Sequence, residues 1–313
     1  MRILFALTFI SLFLTASAQE RIFTNNEIGI TVGPSLFFGD LGIHRRMDDR
    51  FLDNFHPEDI RGMVGVLFRN NLGSMLSLRF SLIYAQVAGD DANERVESPA
   101  DEYFLRRYRN LRFKSHILEL AAIAEINILT FEPGDLVDRW TPFVSAGLGV
   151  FQFSPMGQYQ GTWEALQPIG TEGQGLPNYS GKEKYKLIQL AVPVGIGVKY
   201  NMTRRTVLTI EAVHRHTTTD YLDDVSSNYV DPDYVYLTHG STPKAEKIIA
   251  LADPSSRLYP DVTRPGAQRG NPSSLDSYAF LQVSFTYIIN LKKDIYDCPR
   301  RFIIRNVFKR SYP

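Results

Sequence analysis

Hydrophobic and polar positions alternate with a period of two along most of this chain. Within residues 185–200, one face carries Ile188 and Leu190, and the other carries Gln189 and Ala191. This alternation is typical of a β-strand, in which successive side chains point to opposite faces. It recurs in eight segments, which are residues 28–36, 62–69, 76–84, 115–128, 143–152, 185–200, 206–215 and 278–291. The sequence therefore predicts an all-β fold with eight antiparallel strands.

The face opposite the apolar one decides between two kinds of barrel. A soluble barrel turns its apolar face inward, whereas a membrane barrel turns that face toward lipid. Here the opposite face is rich in Gly, Ala and Ser, with a few isolated charges, which suits the narrow interior of an eight-stranded barrel. These charges are Arg69, Arg79, Glu119, Glu125, Lys199 and Glu211. The segments are long enough to cross a bilayer at a tilt, so we predict a transmembrane barrel.

The charges on the inward face most simply form ion pairs that close the interior. We assign this role to Arg79, Glu119, Glu125 and Glu211. Charged side chains that are buried in a narrow space are rarely left unpaired, because an isolated buried charge is costly. The sequence therefore predicts a filled barrel rather than a conducting pore.

The connections between the predicted strands fall into two length classes. Tight turns are expected at residues 70–73 and 201–204, and a loop of medium length at residues 132–141. The other four connections are long, and the last, residues 217–277, contains a predicted helix at 243–252 with proline at its start. Short periplasmic turns and long extracellular loops are typical of outer-membrane barrels. Because the number of strands is even, both termini are expected in the periplasm.

The two ends of the chain are predicted to lie outside the barrel. Residues 1–18 combine a basic start, an apolar run and an Ala-Ser-Ala sequence, which predicts a secretory signal peptide. The barrel is then expected over residues 19–292 and a basic periplasmic tail over residues 293–313. We expect the tail to dock on a periplasmic partner, and a solvated basic terminus is the alternative. The tail residues assigned to docking are Cys298, Arg300, Arg301, Arg305, Lys309 and Arg310.

Charge balance and cysteine content narrow the possible functions. The sequence has 34 Lys and Arg residues and 34 Asp and Glu residues, so it lacks the basic excess of a nucleic-acid-binding protein. A single cysteine excludes an internal disulfide framework and a multi-cysteine metal site. Basic neighbours make a thiol more reactive. We therefore expect Cys298 to form an intermolecular disulfide with a periplasmic partner, and the alternatives are a disulfide with a second copy of the chain and an inert thiol.

Two groups of residues could carry chemistry. Glu211, His214 and His216 lie close together in one predicted strand, but the alternation turns Glu211 inward and both histidines outward. A hydrolytic His–Ser pair would need a serine that the spacing does not identify, so we interpret the histidines as interfacial. The second group is acidic and could hold calcium, but its spacing is not that of an EF-hand and acidic residues are ordinary in loops. Its members are Asp220, Asp223, Asp224, Asp231 and Asp233. We predict no enzymatic activity, no metal and no cofactor.

Three stretches together resemble the PorG-like outer-membrane barrels of the type IX secretion system. They are residues 27–42, which contain a Gly-Asp-Leu-Gly turn, residues 219–226 with the sequence Thr-Asp-Tyr-Leu-Asp-Asp-Val-Ser, and the ending that runs from Tyr278 to Pro299. The motif residues that we single out are Gly39, Asp40, Asp220, Tyr221, Asp223 and Asp224.

The resemblance implies a non-enzymatic role in protein secretion. Such a barrel anchors a periplasmic ring of a PorK-like lipoprotein and a PorN-like protein, and it is not itself the protein-conducting channel. Outer-membrane lipid and lipopolysaccharide would surround it. The alternative is a surface ligand-binding or adhesion barrel that acts through its long loops, and a third possibility is a lipid-modifying outer-membrane enzyme. The basic tail separates the first two, because an adhesin does not need it.

Overall fold

The alternating segments form the strands of a closed barrel. In the computed structural model, the described residues are 24–41, 56–93, 102–177, 179, 182–255 and 261–289. The strands are β1 (Thr24–Phe38), β2 (Arg61–Leu72), β3 (Leu76–Asp90), β4 (Arg112–Asn127), β5 (Trp140–Tyr159), β6 (Thr162–Ala165), β7 (Ile188–Thr203), β8 (Thr206–Thr217) and β9 (Ser277–Ile288). Neighbouring strands pair in antiparallel register, and the pairings β1–β9 and β4–β5 close the ring. The prediction of an all-β, eight-stranded antiparallel barrel is confirmed.

A few elements add to the eight barrel strands. The short β6 pairs only with the end of β5 and extends it as a hairpin beyond the barrel wall. The helices in the described residues are α1 (Glu102–Arg109), α2 (Pro232–His239) and α3 (Pro243–Ala252), and short 3₁₀ turns lie at Pro57–Asp59 and Asp91–Asn93. The bounds of α3 agree with the predicted helix. None of the helices in the described ranges is long and apolar enough to span a membrane.

The two predicted tight turns are present but begin later than expected, at residues 73 and 204. β2 and β7 run on through Asn71 and Asn201, whose side chains turn inward. The Nδ2 of Asn71 donates to Oε1 of Glu27 over 2.7 Å, and the Nδ2 of Asn201 donates to the carbonyl oxygen of Glu132 over 2.9 Å. Because both buried amides find partners inside the barrel, the strands extend further than the turn-forming composition indicated.

The outward-facing side chains of the barrel wall are largely apolar. The residues that alternate with them along each strand face inward and are mostly buried. Leu120 is 62% exposed and Ile196 is 66% exposed. Trp140 and Tyr200 lie opposite each other at the end with the short turns, and Tyr84 is exposed on the side toward the long loops. An apolar belt with aromatic residues toward both ends is typical of outer-membrane barrels. A continuous apolar surface of this extent is unfavourable in water, so the barrel spans a membrane.

Apolar side chains fill both ends of the interior. At the loop end, which carries the long connections, Phe151 and Tyr278 pack with their ring centroids 5.7 Å apart in a larger apolar cluster. At the opposite turn end, the loop between β4 and β5 inserts Phe131 against Val207 and Ile288. Charged side chains occupy the space between these two clusters, and this is the first of the two candidate sites.

Candidate functional site

A network of ion pairs crosses the middle of the interior, with Glu125 at its centre. Its Oε2 lies 2.8 Å from Nε of Arg69 and 2.6 Å from Nζ of Lys199, and its Oε1 lies 3.0 Å from Nη1 of Arg79. Arg79 also contacts Oε2 of Glu211 over 2.6 Å. All five side chains are buried. The strand alternation turns each of these side chains inward, where a side chain of opposite charge on another strand contacts it.

Two charged residues of the interior, Glu27 and Arg215, were not identified as inward-facing by the sequence analysis. Oε2 of Glu27 lies 2.9 Å from Nη1 of Arg69, and Oε2 of Glu119 lies 2.8 Å from Nε of Arg215. Glu119 therefore pairs with Arg215, in a separate tier nearer the loop end. Glu27 and Arg215 both lie an even number of positions from other inward-facing residues of their strands, so the period of two could have identified them. For Glu27, the predicted first strand would have had to begin one residue earlier.

The charges of the central tier balance. Its carboxylates are Glu27, Glu125 and Glu211, and its cations are Arg69, Arg79 and Lys199. In the second tier, the guanidinium of Arg215 also lies 4.0 Å from the centroid of the Phe280 ring, a favourable cation–π contact. Since the tiers lie between two apolar clusters, the interior is filled along its length.

The long connections fold together over the loop end of the barrel, and we call this assembly the loop cap. It consists of the described residues within 39–41, 91–93, 102–111, 160–187 and 218–276. Arg109, at the end of α1, joins three of these connections. Its Nε and Nη2 donate to both carboxylate oxygens of Asp91 over 2.8 and 2.9 Å, and its other bonds reach the carbonyl oxygens of Arg269 and Asp40 over 2.7 and 2.8 Å. Such bidentate, charge-assisted pairs fix geometry strongly.

A second buried arginine joins the remaining connection to the cap. The Nη1 of Arg269 donates to Oε1 of Glu172 over 3.1 Å and to the carbonyl oxygen of Asp224 over 2.7 Å. Glu172 also accepts the backbone N–H groups of Ser226 and Ser227 over 2.9 and 3.0 Å. The loop after β5 and the loop after β8 are therefore held together by one fully buried carboxylate.

The motif residues of the sequence analysis all lie in the loop cap or at its edge. A Cβ on Gly39 would come within 2.2 Å of Oδ1 of Asp276, so glycine is required for this close approach. Oδ2 of Asp40 accepts the backbone N–H of Asn271 over 2.7 Å. The Tyr221 ring stacks on another tyrosine of the cap with a centroid distance of 4.6 Å. These residues build the cap, so the motif has a structural explanation.

The two consecutive aspartates of the motif hold different partners. Oδ2 of Asp223 accepts the backbone N–H of Leu41 over 3.1 Å, and this bond connects the segment that follows β1 to the loop after β8. The oxygens of Asp224 accept the hydroxyls of Thr171 and Tyr185 over 2.5 and 2.6 Å. Both aspartates are buried, and neither points to solvent.

Four aspartates of the cap have pKa values that burial raises, and we call them the carboxylate cluster: Asp40, Asp220, Asp223 and Asp276. Burial raises the pKa of Asp220 to about 7. Burial and the neighbouring carboxylates raise the pKa of Asp223 and of Asp276 well above the usual range. Their protonated forms are favoured because a negative charge in this site is poorly solvated.

The described residues contain no group of three or more His, Cys, Asp or Glu side chains arranged to hold a metal ion. Of the acidic residues weighed as calcium ligands, Asp231 caps α2 instead, and its Oδ1 accepts the N–H of Asp233 over 3.0 Å. This is an ordinary N-cap role. Asp223 and Asp224 likewise accept backbone N–H groups and hydroxyls.

The two histidines of β8 face outward, as the alternation predicted. The ring centroids of His214 and His216 lie 4.5 Å apart. Ser277 lies opposite His216 in the β8–β9 register, a proximity that spacing along the chain could not reveal. The next partners of this row are Val192 and Phe38, which are apolar. In a hydrolytic triad a third group orients the imidazole, and neither Val192 nor Phe38 could serve as that group.

A cavity of about 310 Å³ lies between α3 and the tops of β4 and β5. Its rim carries Arg112, whose Nη1 donates to Oε1 of Gln158 over 3.1 Å and whose Nε contacts Oδ2 of Asp90 over 2.5 Å. Buried apolar residues such as Leu251 line its floor. This volume is at the lower end of the roughly 300–1,000 Å³ that is usual for small-molecule sites.

Several predicted features lie outside the described residues. They are the signal peptide, residues 1–18, and the basic tail, residues 293–313. The docking residues of that tail are Cys298, Arg300, Arg301, Arg305, Lys309 and Arg310.

Comparison with known proteins gives one family match and several similar folds. The family model described as "Domain of unknown function (DUF6089)" matches residues 1–248. We find no match among the curated proteins. Ail of Yersinia pestis, solved with the heparin analogue sucrose octasulfate, is 8% identical with a TM-score of 0.35, over 85% of this chain and 98% of that chain.

Two further solved barrels are similar at the same level. Neisserial surface protein A is 9% identical with a TM-score of 0.37, over 84% of this chain and 96% of that chain. The N-terminal β-barrel domain of OprF from Pseudomonas aeruginosa is 11% identical with a TM-score of 0.32, over 84% of this chain and 99% of that chain. Identities and scores this low carry no information about a shared function.

Proposed function

This chain belongs to the DUF6089 family, and we propose that it is a closed, non-enzymatic outer-membrane barrel that anchors a periplasmic assembly of the type IX secretion machinery. The observation that carries the proposal is the filled interior. Paired charges occupy its middle and apolar clusters occupy both ends. A barrel whose interior is occupied by packed side chains suits a role in which its ends hold other molecules at the membrane.

The resemblance to PorG-like barrels supports the periplasmic end as the working end. The partners implied by that resemblance are a PorK-like lipoprotein and a PorN-like protein. The basic tail, residues 293–313, is the segment that suits docking. It follows β9 in sequence and is rich in Lys and Arg. Clustered basic residues favour an acidic partner surface.

Affinity purification tests the anchoring role. A tag inserted after Ser241, an exposed position of the loop cap, leaves both termini unaltered. Periplasmic ring proteins should co-purify from detergent-solubilised membranes, and exchanging Arg300, Arg301 and Arg305 for Gln should reduce their recovery. The control is Lys247→Met, which removes an exposed ion pair of the cap. If the wild type retains no periplasmic protein, the anchoring role is refuted.

The proposal requires the long loops outside the cell and both termini in the periplasm. Cysteine labelling of intact cells tests this orientation. A cysteine at Ser241 in the cap should react with a membrane-impermeant maleimide, whereas one at the exposed Asp138 of the turn end should react only after the outer membrane is opened. The opposite pattern would invert the barrel. Both labelled variants are made in a Cys298→Ser background, so that the introduced cysteine is the only thiol in the chain.

We also propose that Cys298 pairs with a periplasmic partner. Membranes alkylated before lysis should then give a slower band in non-reducing electrophoresis, which collapses on reduction and is absent from Cys298→Ser. A wild-type chain that runs only as an alkylated monomer would refute the disulfide, while docking through the basic tail would remain to be judged by the affinity purification.

Ligand binding at the surface is the second candidate function. The cavity in the loop cap favours it, because its polar rim and apolar floor are already built. Arg112→Ala removes the rim cation without touching the interior network. If a surface ligand is found that Arg112→Ala releases while the periplasmic proteins still co-purify, the outer end carries a function of its own.

A further inference from the structure

An apolar groove of about 270 Å³ runs along the outer wall of the barrel near the loop end. Its floor is formed by Ala212 and Ala279, whose short side chains lie lower than their neighbours. Leu36 and Val194 form its two sides, and His214 lies at its upper end. The strand register explains this arrangement, since Val194, His214, Ala279 and Leu36 are successive partners across β7, β8, β9 and β1.

The groove is continuous with the apolar belt that contacts the membrane. Val194 is 47% exposed, and the residues on either side of the groove are outward-facing and aliphatic. The surrounding solvent is therefore hydrocarbon, and the molecules available to fill the groove are membrane lipids. Its volume is below the roughly 300–1,000 Å³ of pockets that enclose a whole small ligand, and an open apolar groove of this size suits a single acyl chain.

The outward-facing residue beyond the groove on β8 is a histidine, which suits the phosphate group of such a lipid. His216 lies two residues beyond His214 on the same strand face, about 7 Å further toward the loops. His216 is exposed, and an imidazole N–H can donate to a phosphate oxygen. Along one line of the wall, the surface thus changes from an aliphatic groove to polar imidazoles, as a lipid does from chain to phosphate.

We propose that this groove binds one acyl chain of lipid A, with His216 at the level of the lipid A phosphates. The choice of lipid rests on the proposed orientation, because loops outside the cell place the groove in the outer leaflet, where lipopolysaccharide is the lipid. The bound lipid would contribute part of the outer surface of the barrel between β1, β8 and β9.

Native mass spectrometry of the purified full chain tests the proposal with lipid A as the probe. Ala279→Phe fills the groove and should lower the ratio of bound to free protein by roughly tenfold, which corresponds to about 1.4 kcal/mol. His216→Ala should lower it by roughly fivefold, the value of about 1 kcal/mol for one hydrogen bond. The matched control is Ala122→Phe, the same change at an outward-facing position of β4 outside the groove, and it should bind as the wild type does.

Each other outcome overturns the proposal. Equal binding by the wild type and Ala279→Phe, or equal loss in Ala279→Phe and Ala122→Phe, would refute the groove as the site. Preference for dimyristoyl phosphatidylglycerol over lipid A would refute the outer-leaflet source. Faster electrophoretic migration of unheated samples verifies that each variant is folded. Co-purification of periplasmic proteins with Ala279→Phe separates a failure of this inference from a failure of the anchoring role.

Discussion

Glu125 is the side chain whose loss the barrel should tolerate least. It contacts Arg69, Arg79 and Lys199 at 2.6–3.0 Å, and none of these side chains is more than 1% exposed. Glu125→Gln keeps the shape of the side chain but removes its charge. The central tier, which has three carboxylates and three cations, is then left with one positive charge in excess.

The expected cost follows from the burial of the partners. Removing one member of a buried ion pair costs about 3–5 kcal/mol, because the remaining charge has neither water nor a partner. For Glu125→Gln we therefore expect the free energy of unfolding to fall by about 3–5 kcal/mol. Exposed pairs cost about 0.2–1 kcal/mol, which is the range expected for the control Lys247→Met, whose pair with Glu164 is about one-third exposed.

Urea unfolding in phospholipid vesicles, followed by the electrophoretic shift between folded and unfolded barrel, measures both free energies. The double variant Glu125→Gln with Lys199→Met should recover part of the loss, since it restores the charge balance of the tier. A Glu125→Gln barrel that unfolds within about 1 kcal/mol of the wild type would refute the view that the charges are buried and mutually dependent.

Three further predictions concern the wall and the loop cap. Leu120→Arg places a charge in the lipid-facing belt and should cost about 2–4 kcal/mol in the same unfolding assay. Gly39→Ala brings a Cβ against Asp276 and should speed trypsin cleavage of the cap, whereas Gly62→Ala, which has no atom within 4 Å, should not. The carboxylate cluster holds protons that the unfolded loops release, because its pKa values are raised above the usual 3.8. The protease resistance of the cap should therefore fall as the pH rises from 5 to 8, and Asp220→Asn should flatten this dependence; a cap that grows more resistant with pH would contradict the sign.

The barrel could be predicted from the sequence because every strand of its wall has one apolar, lipid-facing side and one side that faces the interior. Each strand meets hydrocarbon on one side and a packed interior on the other, so every second residue reports the same environment. This contrast assigned Glu125, Arg79 and Glu211 to the interior before any contact was known. It could not assign their partners, because Arg79 contacts Glu211 across 132 positions of sequence.

The contacts that hold the loop cap together could not be predicted, for a different reason. Its bonds join segments that have no common period, such as Arg109 and the carbonyl oxygen of Arg269, 160 positions apart. Glu172 carries no local signal that distinguishes it from an exposed loop acid. The helix α3 was predicted correctly, since Pro243 at its start and a run of helix-forming residues are local features. The N-cap Asp231 before Pro232 could have identified α2 in the same way.

The bond between Asp40 and Asn271 has a consequence for how the barrel relates to the lipid around it. Asp40 follows the first strand and Asn271 precedes the last, so this bond spans the seam at which the two ends of the sheet meet. Some barrels can in principle part at such a seam and release a molecule sideways. In this barrel, a hydrogen bond between two residues of the loop cap, 231 positions apart in sequence, connects the two sides of the seam. A lateral opening of this seam would therefore have to break the bond between Asp40 and Asn271 in addition to the pairing of β1 with β9.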